Sequence, residues 1–149
     1  MDVKDIITPE RIACHATVSS KKRALELLSE LLAIGSQCTP QQIFESLLNR
    51  EKLGTTSLGH GVALPHGRQQ VSSQTSGAFV LLDNGIDYDA VDGKPVDLLF
   101  ALLVPKESTD QHLQLLAQLA EMFSNDDFRQ QLREVSGNDQ AYRLLTVPA

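Results

Sequence analysis

Apolar side chains recur at helical spacing in two segments near the start of the chain. The first segment follows Ser19 and Ser20, which can cap a helix, and it stops at Gly35. Its apolar positions are Ala24, Leu27, Leu28, Leu31, Leu32 and Ile34. The second segment begins with Thr39-Pro40-Gln41-Gln42, which combines a capping threonine, a proline at the first helical position and a glutamine three residues after the cap. The pattern predicts one helix that ends at Gly35 and another that carries Ile43, Phe44, Leu47 and Leu48 and runs to about Lys52.

The centre of the chain is typical of β-strands, and its last part is typical of helices again. Short apolar runs predict strands from Ile12 to Val18, over 62–64, over 77–82 and over 98–104, with Asp92-Gly93 as a hairpin turn. The run LLFALLV at 98–104 is apolar throughout, as expected of a strand that is buried on both faces. Helical spacing returns at 109–123, after Asn125 and at 138–147. We therefore predict an α/β fold with one mixed sheet covered by helices on both faces, while the strand order stays open.

Composition narrows the classes of function. The 149 residues are most simply one domain spanning 1–149, with 42% hydrophobic and 21% charged residues. A net charge of -6 argues against nucleic acid as the main partner, because binding a phosphate backbone needs a basic surface. No apolar run approaches membrane-spanning length, and the first residues lack a signal-peptide pattern. The sequence therefore predicts a cytoplasmic protein without direct membrane insertion.

The stretch GHGVALPHGR, residues 59–68, places His66 directly after a short apolar strand. The proline before it has no N–H to donate, so we expect the strand to stop there, and Gly67 leaves the far side of His66 open. Such a histidine could be a metal ligand, a general base, a nucleophile that carries a group, or a plain surface-loop residue. Further metal ligands are lacking, since His60 would lie about 20 Å away in extended chain and no Cys or Glu pair is near. A general base would need a nucleophile such as Ser57, and no G-x-S-x-G motif is present.

The group-carrying role accounts for more of the neighbouring residues. A phosphoryl group on an imidazole nitrogen needs donors for its three oxygens, and its transfer depends mostly on positioning and electrostatics. Glycine backbone N–H groups and short hydroxyl side chains supply such donors without steric cost. The candidates in this loop are Thr55, Thr56, Gly61 and Gly67. Arg50 and Arg68 offer forked cationic donors at the two ends of the loop that they enclose. Arg50 is the stronger candidate, because it lies at the end of the predicted helix just before the loop.

A second histidine, His112, lies near the middle of the predicted apolar face of the 109–123 helix. We predict that face to comprise Leu113, Leu116, Leu119, Ala120 and Phe123, and the polar face to comprise Gln111, Gln114, Gln118 and Glu121. A histidine that points inward from the first turn of a helix lies where free N–H groups and the helix dipole favour an anion. Burial and the dipole both disfavour the charged imidazole, so we expect His112 to act as a neutral donor. The alternative is a core histidine bonded to a backbone carbonyl.

Two long motifs carry a family resemblance that spans nearly the whole chain. NREKLGTTSLGHGVALPHGR, residues 49–68, closely resembles the active-site segment of the enzyme IIA proteins of the bacterial phosphotransferase system, in the fructose, mannitol and nitrogen-regulatory group. PVDLLFALLVP at 95–105, followed by HLQLLAQLA at 112–120, resembles the second signature of that family. As a single domain without transporter segments, the chain looks most like the nitrogen-regulatory enzyme IIA.

The resemblance implies a mannitol-type enzyme IIA fold with a mixed, five-stranded sheet and a phosphohistidine mechanism that uses neither metal nor cofactor. His66 matches the phosphorylated histidine of the family, with the phosphate expected on Nε2. His112 matches its second active-site histidine, and Arg50 matches its active-site arginine. The departures are small: Thr55 stands where serine is common, and His60 replaces a small polar residue.

The resemblance also implies partners. The phosphoryl donor would be the nitrogen-branch histidine phosphocarrier protein. The leading hypothesis is a regulatory phosphocarrier whose phosphorylation state decides which proteins it binds, with potassium transport proteins or sensor kinases as targets. The alternative is a sugar-transport enzyme IIA that passes phosphate from His66 to an enzyme IIB of a fructose- or mannitol-type permease. A third hypothesis, a pure binding protein with a structural His66, would be excluded by any stable phosphotransfer.

Overall fold

The computed structural model describes residues 1–70, 74–107 and 109–147. Over these ranges the backbone forms one mixed sheet with helices on both of its faces. The elements are β1 (Ile12–Ala16), α1 (Lys21–Ala33), α2 (Pro40–Glu51), β2 (Ser57–Gly59), β3 (Val62–Ala63), β4 (His66–Gln69), β5 (Ser76–Ile86), β6 (Val96–Pro105), α3 (Thr109–Phe123), α4 (Asp126–Arg133) and α5 (Asn138–Thr146). Two short 3-10 turns, Val3–Asp5 and Pro9–Arg11, precede β1.

The helices begin at the caps that the sequence predicts. The Ser20 hydroxyl accepts a hydrogen bond from the backbone N–H of Arg23 at the start of α1. Thr39 and Gln42 form a reciprocal capping box at the start of α2, which satisfies two N–H groups that would otherwise lack partners. Asn125 caps α4. Local side-chain chemistry therefore fixes where these helices start.

The sheet runs in the order β1-β5-β6-β3-β2, and β4 continues along β6 beyond β3. β5 and β6 form the antiparallel central pair. β1 pairs in parallel with β5, while β3 and β4 pair in parallel with β6. The predicted mixed sheet covered on both faces is confirmed, with a short sixth strand among the described residues.

The strand before Pro65 ends there, as the sequence predicts, and the sixth strand begins directly after the proline. His66 is the first residue of β4 and pairs with Leu102 of β6. Pro65 cannot donate a ladder hydrogen bond, but its carbonyl accepts one from the backbone N–H of Leu102 at 2.9 Å. The chain therefore stays beside β6 through the proline and resumes pairing at once.

Alternate side chains of β6 enter two separate hydrophobic cores. Leu98, Phe100, Leu102 and Val104 pack with residues of α3, α4 and α5, whereas Leu99, Ala101 and Leu103 pack with α1 and α2. All of these residues are buried, which explains the uninterrupted apolar run in the sequence. No helix in the described ranges is long and apolar enough to cross a lipid bilayer.

The predicted inward face of α3 needs one correction. Leu113 is 62% exposed, and the buried line runs through His112, Leu115, Leu119 and Phe123. These residues are spaced three and four apart, so they share one face of the helix, while Leu113 lies two positions from Leu115 and points away. His112 thus belongs to the core-facing stripe at the start of α3.

Candidate functional site

His66 and His112 meet where the start of β4 lies against the first turn of α3. Their ring centroids are 5.0 Å apart, and the planes are nearly perpendicular, at 84°. His66 is half-buried, and His112 is 7% exposed. Two histidines separated by 46 positions in the sequence, 112 minus 66, therefore form one contact at the edge of the sheet.

The backbone selects the tautomer of His66. Its Nδ1 lies 2.9 Å from the carbonyl oxygen of Leu64. A carbonyl can only accept, so Nδ1 of the neutral ring carries the proton and Nε2 keeps a free lone pair. Burial lowers the pKa of His66 most, the hydrogen bond to Leu64 opposes this, and the positive charge of Arg50 lowers the pKa further. At neutral pH the lowered pKa therefore favours the uncharged ring, whose Nε2 keeps its lone pair.

His112 is neutral as well, and more firmly so. Its pKa is lowered to about 4, mainly by burial, with the positive charges that His66, Arg68 and Arg50 can carry acting in the same direction. At pH 7 its imidazole therefore presents one N–H donor and one acceptor. The neutral state agrees with the expectation from the sequence, and the role of His112 as a donor stays a prediction.

Arg50 lies in the last turn of α2, next to the loop that leads into β2. Its Nη1 donates to the carbonyl oxygen of Gly54 at 2.9 Å, which holds the guanidinium against that loop. Within the described ranges its other N–H groups have no protein partner. The charge of Arg50 lowers the pKa of both His66 and His112, so its field reaches the pair.

Arg68 lies two residues after His66 on β4. Successive side chains of a strand point to opposite faces, so His66 and Arg68 share one face and Gly67 the other. Gly67 faces α2 closely: a Cβ there would come within 2.5 Å of the Ser46 hydroxyl oxygen and 3.2 Å of its backbone carbon. The absence of a side chain at 67 thus allows α2 to lie directly against β4.

Beneath the loop between α2 and β2 lies a buried carboxylate, Glu51. It accepts hydrogen bonds from the backbone N–H and the hydroxyl of Thr56 and from the Tyr88 hydroxyl, the last at 2.9 Å. It also pairs with Lys21 at 3.0 Å, and the ammonium of Lys21 lies over the Tyr88 ring. The network joins α1, α2, the residue before β2 and the β5–β6 connection below the loop that Arg50 contacts.

Of the four loop residues predicted to bind phosphate, Gly67 lies against α2 as described above, and the other three have contacts elsewhere. The Thr56 hydroxyl is engaged with Glu51, and the Thr55 hydroxyl accepts from the backbone N–H of Ser57 at 3.2 Å. Gly61 lies beside the Arg133–Asp97 ion pair. It is level with Leu98 of β6, four residues or roughly 13 Å from the residue that pairs with His66. Phosphate binding by these residues stays a prediction. Among the site residues that the structure describes, the rings of His66 and His112 are in contact, and the charges of Arg50 and Arg68 act on both.

Two residues of this region escape reasoning from the sequence. Ser46 and Glu51 look like ordinary polar positions of a helix, and only the fold reveals that one faces β4 and the other is buried. Gly67 could have indicated the contact that Ser46 makes, since a glycine in a strand often marks a position where another part of the backbone approaches closely. No group of three His, Cys, Asp or Glu side chains in the described part of the chain is arranged to hold a metal ion.

Comparison with known proteins gives concordant matches over nearly the full chain. Residues 5–147 match the family model described as phosphoenolpyruvate-dependent sugar phosphotransferase system, EIIA 2. The nitrogen regulatory protein of Escherichia coli (strain K12) is 41% identical over 140 residues, which cover 93% of this chain and 83% of that protein. The crystal structure of the nitrogen regulatory protein IIA-Ntr from Neisseria meningitidis matches with a TM-score of 0.92 and 42% identity, covering 97% of this chain and 99% of that one. The fructose-specific EIIA component of the phosphotransferase system of Haloferax volcanii is 35% identical over 149 residues, 97% of each chain.

Proposed function

Because the chain belongs to the EIIA 2 family of the phosphoenolpyruvate-dependent sugar phosphotransferase system, we propose that it is a phosphocarrier that accepts a phosphoryl group on Nε2 of His66. The observation that carries this proposal is the hydrogen bond from Nδ1 of His66 to the carbonyl oxygen of Leu64. It leaves Nε2 unprotonated beside a second, neutral histidine. A ring held in this way is prepared for nucleophilic attack before any donor arrives.

The transfer step follows from that tautomer. The Nε2 lone pair attacks the phosphorus of a phosphohistidine on the donor protein, and a new P–N bond forms. The P–N bond of the donor breaks, and its electron pair returns to the donor nitrogen. Nδ1 of His66 keeps its proton throughout and donates it in the hydrogen bond to the Leu64 carbonyl oxygen, so no proton has to move between the two proteins.

His112 and Arg50 would stabilise the group in transit. The neutral imidazole of His112, in edge contact with the His66 ring, donates a hydrogen bond to a phosphoryl oxygen or steadies the His66 ring. Arg50 supplies positive charge from the end of α2. Such a transfer consists almost entirely of positioning and charge stabilisation, which these side chains can provide without a metal ion.

We propose that the protein is a regulatory phosphocarrier that acts in the cytoplasm, with residues 1–149 forming a single EIIA domain. The identity of 41–42% to proteins named nitrogen regulatory protein supports this assignment. The donor would be the nitrogen-branch histidine phosphocarrier protein. The targets would be regulated proteins such as potassium transport proteins or sensor kinases, bound according to the phosphorylation state of His66.

A second candidate function is sugar transport, with His66 passing its phosphate to an enzyme IIB. The 35% identity to a fructose-specific EIIA component favours keeping this candidate. The two functions differ in the fate of the phosphate. Mixing the purified phosphoprotein with a fructose-type enzyme IIB would transfer the label in the second case and leave it on His66 in the first.

The proposal is tested by incubating the protein with enzyme I, phosphocarrier protein and phosphoenolpyruvate and measuring intact mass. The wild type should gain one phosphoryl group that is acid-labile and base-stable, and His66→Ala should gain none. His60→Asn is the matched control, because His60 has a φ of 57° in an exposed turn and asparagine tolerates that conformation. Labelling of His66→Ala at a near-normal rate would contradict the assignment.

A further inference from the structure

Arg68 is a cation beside the histidine pair that the proposed mechanism has not used. Its guanidinium is exposed and has no hydrogen-bond or ion-pair partner anywhere in the described ranges. It shares a face of β4 with His66, and the two Cα atoms of such a pair are about 6.6 Å apart, within reach of an arginine side chain. Its charge also acts on both imidazoles, lowering the pKa of His66 and that of His112.

The backbone of Arg68 is fixed in an unusual way. The Ser46 hydroxyl of α2 accepts a hydrogen bond from the Arg68 N–H at 2.8 Å and donates one to the Arg68 carbonyl at 3.0 Å. One hydroxyl thereby satisfies both backbone groups that this residue presents at the free edge of β4. Ser46 also lies one helical turn before Arg50, so the same face of α2 that holds Arg68 carries the other arginine.

The number of oxygens to be bound gives Arg68 a role. A phosphoryl group presents three strong acceptor oxygens. The neutral His112 contributes one N–H donor, one N–H of Arg50 is already bonded to the Gly54 carbonyl, and the exposed fork of Arg68 adds paired donors together with a positive charge. Building on the phosphocarrier function proposed above, we propose that Arg68 is a second phosphoryl-binding residue and that Ser46 positions it relative to Arg50 and His66.

The first test measures phosphoryl transfer to His66 from two donors, the phosphorylated donor protein and phosphoramidate, a small molecule without a docking surface. Arg68→Gln should slow transfer from both by roughly ten- to a hundredfold, the loss expected for a charge-assisted hydrogen bond. Arg68→Lys should recover part of the rate, because it restores the charge but not the fork. Arg143→Gln, at an exposed arginine in the last turn of α5, is the matched control and should leave the rates unchanged.

The second test asks whether Ser46 acts through Arg68. Ser46→Ala should slow transfer in the wild-type background but add nothing in the Arg68→Gln background, since its partner's side chain is already gone. If the two reductions in transfer rate multiplied in the double variant, Ser46 would act separately from Arg68.

A titration of the ring protons by NMR gives an independent signature. Arg68→Gln should raise the pKa of both His66 and His112, while the charges of Arg50 and Glu51 near His66 stay in place.

The outcomes separate this inference from the function on which it rests. A wild-type protein that accepts phosphate, with Arg68→Gln equal to it for both donors, would overturn the role of Arg68 alone. A loss confined to the protein donor would also overturn it and make Arg68 a docking residue. A wild-type protein that accepts phosphate from neither donor would overturn the phosphocarrier function itself, and with it this assignment.

Discussion

The charge state of an imidazole decides what it can offer a phosphoryl group, and burial sets that state at both histidines of the site. The neutral ring of His66 carries its proton on Nδ1. The pKa of His112 is lowered to about 4, mainly by burial, so its ring is neutral at pH 7. A protonated His66 would have no lone pair on Nε2 for attack. Lowered pKa values are thus a condition of the proposed chemistry.

Replacing His112 tests its role directly. His112→Ala should still accept phosphate but roughly ten- to a hundredfold more slowly, because it loses one hydrogen bond to a charged group. His112→Gln should recover part of the loss, since it restores an N–H donor. Stopped-flow transfer rates measure both effects, with melting temperatures as the control for folding.

The alternative role for His112 predicts a different outcome. If His112→Ala lowered the melting temperature while the folded fraction transferred phosphate at the wild-type rate, His112 would be a packing residue of the α3 stripe. The contact with the His66 ring would then be incidental to transfer.

At the scale of elements, the spacing between α2 and β4 depends on Gly67. In Gly67→Ala the new methyl would lie 2.5 Å from the Ser46 hydroxyl oxygen, and the helix or the strand would have to shift. We expect a loss of about 1–3 kcal/mol in the free energy of unfolding, as for other overpacked positions. Denaturant unfolding measures it. In the double variant with Ser46→Ala the loss should be smaller than the sum of the two single losses, because part of the clash is with that hydroxyl.

If the losses in the free energy of unfolding of the two single variants simply added up in the double variant, the close contact between Gly67 and Ser46 would be contradicted. The control is Gly137→Ala, since a Cβ at Gly137 would meet nothing within 4 Å and its φ lies in the extended region.

How far the elements could be predicted depends on whether their signals are local. The starts of α1, α2 and α4 follow from capping side chains within three residues, and all three were predictable from the sequence. β4 was not, because its four residues pair with β6, more than thirty positions away, and a proline stands directly before it. The same holds at the site: His66 and His112 carry recognisable chemistry, whereas Ser46 and Glu51 acquire a role only from what the fold brings against them.

At the scale of the whole molecule, His15 links parts of the fold that are distant in sequence. Its Nδ1 lies 2.7 Å from a carboxylate oxygen of Asp83 on β5, and its Nε2 lies 2.7 Å from the carbonyl oxygen of Val135, between α4 and α5. Only the charged ring, with a proton on each nitrogen, can donate both hydrogen bonds. These contacts, the one to Asp83 first, raise the pKa of His15 above its ordinary value of 6.5.

This link makes part of the stability depend on pH. Because the pKa of His15 is higher in the folded state, its contribution is fully present below pH 6.5 and is lost as the pH rises through the folded value. We expect the difference in melting temperature between the wild type and His15→Asn to be larger at pH 5.5 than at pH 8.5. Asparagine is chosen because His15 has a φ of 57°. The difference between the two proteins cancels the titration of the other histidines, and a difference that does not change with pH would contradict the charged ring.

The two cores on opposite faces of β6 have a consequence for how such a protein can change over evolutionary time. One core supports α2 with Arg50, and the other supports α3 with His112, while β4 holds His66 between them. The relative placement of the three side chains therefore depends on residues deep in both layers, such as Leu47 in one and Leu119 in the other. Sequence changes in either interior can therefore alter the rate of the proposed transfer while every side chain of the site stays the same.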